Sequence, residues 1–207
     1  MTDEEFSMLL AVGHESTDVE FKGPGSATDK PFLAKVARAA IGMANQRDGG
    51  KVIIGVKEGK PPEPVGLGPE MAEGWRNYDV VVEAINGYAD PSLSLDIEEK
   101  VYSGNTFIVL IVLEFREIPI LCSKDFTSSG KTILRAGACY VRSLHKPETA
   151  EIRSQQEMRS LIDLAVVKGV RRFVETARAA GVLPDLRSLS PVLTDADRFD
   201  KQLEEIP

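Results

Sequence analysis

Hydrophobic and polar positions alternate with two different periods along this chain, and the switches between them mark its elements. Glu4 to Val12 places Phe6, Leu9 and Leu10 on one helical face. Asp18-Val19-Glu20-Phe21-Lys22 alternates polar and apolar, the period of a half-buried strand, and Gly23-Pro24-Gly25 stops it. A long helix is predicted from Pro31 to Gln46, with Pro31 in its first turn, Thr28 or Asp29 as cap, and Phe32, Val36, Ala40, Ile41 and Ala44 as its inner stripe. Asp48-Gly49-Gly50 then turns the chain into a buried strand, Val52 to Val56.

Lys57 to Pro69 reads as a loop and Trp75 to Tyr88 as a second helix. Leu93 to Tyr102 and Thr106 to Leu113 read as strands joined at Ser103-Gly104-Asn105. Shorter strands are predicted at 119–123, 132–135 and 139–142. The order is β-α-β-α-β-β with additional β structure, an α/β (α+β) fold without the regular alternation of a doubly wound sheet. From Thr149 the period turns helical, through Met158, Leu161, Ile162, Val166, Val170, Phe173 and Val174. That change divides the chain into a domain over 1–148 and a helical appendage with a tail over 149–207. The apolar surface of the appendage calls for burial against the domain or a second copy, so a homodimer through the C-terminal helices is expected. Past Pro184 the packing is expected to be weak, with Leu203 and Ile206 as anchors.

Composition adds limits. With 207 residues, 43% of them hydrophobic, the chain is long enough for one sizeable core. The longest apolar run, Phe107 to Leu113, suits a strand and falls far short of the ~20 residues of a membrane span. The acidic start lacks a signal-peptide apolar region, and two cysteines, Cys122 and Cys139, are too few for a disulfide framework or zinc site. A reducing cytoplasm is the simplest location. The 25 basic and 32 acidic residues give a net charge of −7, which argues against a sequence-blind coater of DNA. A local basic stretch remains: Lys124, Lys131, Arg135, Arg142 and Lys146 flank a single acid, Asp125.

The candidate chemistry centres on residues 14–22. On the strand, Glu20 and Lys22 share the face opposite Val19 and Phe21. Glu15 has the other parity and joins Glu20 only if the chain turns near Ser16. Two carboxylates ~5 Å apart repel by ~3 kcal/mol at an effective dielectric of ~20, which a divalent cation relieves, leaving Lys22 for a phosphate. The competing reading is an amphipathic strand with a solvated face. Asn45 lies at a helix end before paired glycines, and Glu58 follows the buried strand where open α/β sheets place ligands. Ser129-Gly130-Lys131-Thr132 lacks the second glycine and following helix of a phosphate-binding loop and reads as a hairpin turn. His14 and His145 have no nucleophile partner in a recognisable motif.

Together these segments resemble the Schlafen-type Alba-like domain, which is described as a DNA-binding domain. Glu15 to Lys22 is similar to its ExxxxExK opening. Ala44-Asn45, Gly49-Gly50, Ile54-Gly55-Val56, Gly66-Leu67, Asp90-Pro91 and Tyr140-Val141-Arg142-Ser143 follow in the family's order, over about residues 13–148. The resemblance implies an Alba-like β-α-β-α-β-β core and nucleic-acid binding. It also implies, as in Schlafen proteins, an endoribonuclease dependent on Mg²⁺ or Mn²⁺ held by three acids. Two carry over to Glu15 and Glu20. Glu58 is the candidate for the third, where the family has Asp, and that longer side chain counts more against cleavage than against binding. Lys22, Lys131, Arg135, Arg142 and Lys146 are then the expected phosphate contacts. The alternative is a non-catalytic DNA-binding or nucleotide (ATP)-binding regulatory module.

Overall fold

Strands that are apolar on both faces need cover on both sides, and the central sheet has it. The computed structural model describes residues 1–143 and 146–182. Helix α1 (Asp3–Val12) begins at a capping box between Thr2 and Glu5. It leads to β1 (Val19–Lys22), α2 (Lys30–Ala44) and β2 (Gly50–Ile54). The small hairpin β3 (Val56–Lys57) and β4 (Glu63–Pro64) comes next, followed by α3 (Pro69–Arg76), α4 (Tyr78–Asn86) and β5 (Ala89–Asp90). The long hairpin β6 (Leu95–Tyr102) and β7 (Asn105–Val112) completes the main sheet. Short strands β8 (Leu121–Cys122), β9 (Phe126–Ser128), β10 (Lys131–Leu134), β11 (Tyr140–Arg142) and β12 (Thr149–Glu151) precede α5 (Gln155–Ala179).

The main sheet runs β1-β2-β7-β6, with β1 parallel to β2 and the other pairs antiparallel. The β-α-β-α-β-β core expected from periodicity is therefore the one formed. Val52, Ile54, Ile108 and Leu110 face the large core around α2, while Ile53, Phe107 and Val109 face α1 through Phe6 and Leu10. Phe6 meets Phe107 edge-on at 5.6 Å. Helix α2 is buried almost all round because its alanines let neighbours approach closely. At Gly49, φ is +70° and an added Cβ would lie 2.1 Å from the Val112 carbonyl oxygen, so only glycine fits that turn.

Several boundaries differ from expectation. The helix predicted over 75–88 is two helices broken at Asn77, whose ψ of 79° is not helical. The break lets Trp75, in the last turn of α3, bury itself edge-on to Phe32 and donate to the Gly25 carbonyl at 3.0 Å. The loop after Val56 contains the β3–β4 hairpin. The domain boundary expected at Glu148 falls inside the β11–β12 hairpin, and Thr149 packs against Gly42 of α2, which leaves no room for a Cβ. Helical period alone could not show this, because three residues of strand carry too little pattern.

By compactness the chain forms two units, Met1–Val166 and Val167–Pro207. Within the first, Leu161 and Leu164 of α5 join the core. Within the second, Val170, Phe173 and Val182 are exposed. The expectations for His145 and for residues after Pro184 lie outside the described residues. Among the described residues no helix is long and apolar enough to cross a membrane.

Candidate functional site

β1 is an edge strand, and its unpaired side dictates how the site is built. A bridge between Ser16 and Val19 turns the chain back, with the Val19 amide donating to the Ser16 carbonyl at 3.3 Å. That turn brings Glu15 alongside the strand, where its Oε1 accepts the Phe21 amide at 2.7 Å. Arg142, arriving from β11, donates from Nη2 to the Ser16 and Val19 carbonyls at 2.8 and 3.2 Å and from Nε to the Thr17 carbonyl at 3.1 Å. Side chains thus seal backbone groups that an edge strand otherwise leaves open.

Val19 and Phe21 are buried against α1, as the alternation predicts. The opposite face is not solvated. Glu20 is only 6% exposed, and its carboxylate is fully engaged. Lys22 Nζ pairs with Oε1, while Oε2 takes Arg142 Nη1 at 2.5 Å and the Thr149 hydroxyl at 2.5 Å. Burial pushes the Glu20 carboxyl up, but Lys22, the Thr149 hydroxyl and Arg142 outweigh it and hold it below the usual carboxylate range. Glu15 shifts the other way: burial raises it, and the Glu20 charge adds to that against the Phe21 amide and Lys22.

These opposite shifts give opposite pH dependences. Glu20, depressed when folded, contributes stability that is present above its unfolded value near ~4.3 and lost as pH falls through its folded value. Glu15, raised when folded, makes stability fall as pH rises from ~4.3 through its folded value. Urea midpoints followed against pH are expected to lose part of the acid-side decline in Glu20→Gln. In Glu15→Gln they should lose part of the decline above it. A common pH profile for both variants and wild type would contradict these environments.

Glu15, Glu20, Lys22, Glu58 and Lys131 all line one cavity of about 930 Å³. Lys131 enters from β10, just after the hairpin turn Ser129-Gly130, both at positive φ. Three expected phosphate contacts do not line it. Arg142 is buried behind the floor, its side chain 1% exposed, because it fastens β1 to β11. Arg135 is exposed and pairs with Glu151, and Lys146 is exposed beyond the lining. In their place are cations unanticipated as contacts: Lys35 and Arg38 on α2, and Lys57 and Lys60 around the β3–β4 hairpin. Lys35 and Arg38 are three apart on a helix, a spacing that puts them on one face and was the available signal. Arg38 donates to the Thr149 carbonyl at 2.8 Å and stacks over Tyr140. Thr149 gave no signal at all.

The lining holds six basic and four acidic side chains, an excess of positive charge on a chain whose net charge is −7. Lys35, Lys57, Lys60 and Lys131 make no ion pair with the described residues. The acids do not fit a three-carboxylate cation site. Both Glu20 oxygens face cations, and among the described residues no three His, Cys, Asp or Glu side chains are grouped to hold a metal ion. Glu15 uses Oε1 for the Phe21 amide, and its other oxygen accepts no hydrogen bond from the described residues, while Glu58 lines the cavity from the β3–β4 hairpin.

A family model described as "Schlafen, AlbA_2" matches residues 15–150. Among solved structures, the DIP2311 protein from Corynebacterium diphtheriae aligns with 70% of this chain at 17% identity and a TM-score of 0.49. This chain covers only 23% of that protein. The N-terminal domain of a "putative ATP-dependent DNA helicase RecG-related protein" from Nitrosomonas europaea aligns with 66% of this chain and 88% of its own length. Its identity is 22% and its TM-score 0.42. No curated protein matches the chain.

Proposed function

The chain belongs to the Schlafen, AlbA_2 family, and from that premise we propose that it binds nucleic acid through the lysine-rimmed cavity, without a step that depends on a three-carboxylate metal centre. The observation that carries this reading is the set of uncommitted lysines, Lys35, Lys57, Lys60 and Lys131, gathered from three elements of an otherwise acidic chain. Uncompensated ammonium groups around a concavity attract phosphate and release its counterions on contact. Lys22 and Arg142 serve differently. They neutralise Glu20 and hold the floor, so that the inward carboxylate does not repel an anion above it.

Fluorescence anisotropy of the full chain with labelled RNA and DNA oligonucleotides, over a salt series, tests the proposal. Binding is expected to weaken linearly in log–log form, and Lys35→Ala with Lys131→Ala should reduce the slope by about 2, one per lost phosphate contact. Unchanged slope and affinity in that pair would remove the cavity from the reading. The same mixtures, incubated with Mn²⁺ and with a chelator, test the endoribonuclease implied by the resemblance. Cleavage that needs Mn²⁺ and disappears in Glu15→Gln would restore the metal-dependent mechanism.

A further inference from the structure

The shape of the cavity and the division of its charges narrow the ligand beyond nucleic acid in general. Resting on the reading above, we infer that the cavity receives an unstacked nucleotide of a single strand, and not a duplex.

Size comes first. A concavity of about 930 Å³ falls within the roughly 300–1,000 Å³ of small-ligand pockets. That is room for one splayed-out nucleotide, whereas a duplex, whose major groove alone is about 12 Å wide, is too large to enter it.

Charge placement comes second. The free lysines stand on α2, the β3–β4 hairpin and β10, around one concavity. A duplex reader needs cations in rows that follow two backbones, whereas lysines from three elements that line one concavity suit the phosphates flanking a single inserted nucleotide. Glu15, Glu58 and Glu148 line the same space. Ionised carboxylates only accept hydrogen bonds and repel phosphate, so their partners there are the amino groups of a base edge or a ribose hydroxyl. Base edges are fully open to such contacts only when the base is unpaired and unstacked.

The wall comes third. Pro61 and Pro62 on the β3–β4 hairpin and Ile133 on β10 add apolar groups to the lining, against which the face of a base can lie. One pocket thus offers cations for phosphate, acceptors for a base edge or sugar, and apolar groups for the ring.

The test measures anisotropy of the full chain with an eight-nucleotide single strand and with the same sequence paired in the stem of a blunt hairpin closed by a non-nucleotide linker, at one salt concentration. Unlabelled nucleoside monophosphates serve as competitors. The single strand is expected to bind about tenfold more tightly than the hairpin, the effect of accommodating one base. Monophosphates should compete only at far higher concentration than the strand. Equal affinity for strand and hairpin would overturn the inference while leaving nucleic-acid binding in place. Monophosphates competing as well as the strand would overturn it in favour of a nucleotide pocket. Failure of both oligonucleotides to bind would defeat the underlying reading itself.

Discussion

Replacing Arg142 with Ala is expected to cost about 3–5 kcal/mol of folding stability, the range for removing one partner of a buried ion pair. All three guanidinium nitrogens of Arg142 are engaged, with Glu20, the Thr149 hydroxyl and the carbonyls of Ser16, Thr17 and Val19. Truncation strands those carbonyls and leaves Glu20 with only Lys22 and Thr149. Arg142→Lys should recover only part of the loss, since a compact ammonium cannot span five acceptors in fixed directions. Glu20→Ala should be costly for the same reason. The double variant should cost less than the two singles combined, by roughly 0.5–3 kcal/mol of coupling. Urea unfolding of wild type and the four variants decides the matter. An Arg142→Ala protein as stable as wild type would mean that the guanidinium is free for phosphate after all.

Asn45→Ala is expected to lose about 3 kcal/mol, because truncation leaves several buried backbone groups unpaired at roughly 1–3 kcal/mol each. Asn45 is 4% exposed at the C-terminal end of α2. Its Nδ2 donates to the carbonyls of Ile120 and Tyr140 at 2.7 and 2.9 Å, and its Oδ1 accepts the Ile120 amide at 2.8 Å. One amide therefore ties the helix to both the segment before β8 and the start of β11. Asn45→Asp should be nearly as damaging, since a carboxylate faces two carbonyls with no proton to donate. Thermal melts of both variants, with nucleic-acid affinity measured well below the transition, separate this role from ligand contact. A stable Asn45→Ala protein that had lost only binding would place Asn45 in the site instead.

The central sheet was legible in the sequence, and so was the opening segment. The alternation of Val19 to Lys22, set by one apolar face, and the continuous apolar run of Phe107 to Leu113, set by burial on both faces, are written locally and require no partner to be recognised. The turn at Ser16 was legible too, since the parity of Glu15 allowed it only one way to approach Glu20. Lys131 was legible as part of the basic stretch from Lys124 to Lys146. Left to tertiary structure was the state of each charge. Whether Glu20 faces water, a cation or a guanidinium depends on Arg142, 122 positions away, and on Thr149, 129 positions away. No local pattern encodes such partners. The same side chains, Glu, Lys and Arg, read alike at any distance in sequence, and only their separation in space decides which pairs are neutralised and which lysines stay free. Periodicity records which way a residue points. The fold decides what it meets there, because Coulomb energies depend on separation in space and on burial, and neither is a property of the chain's order.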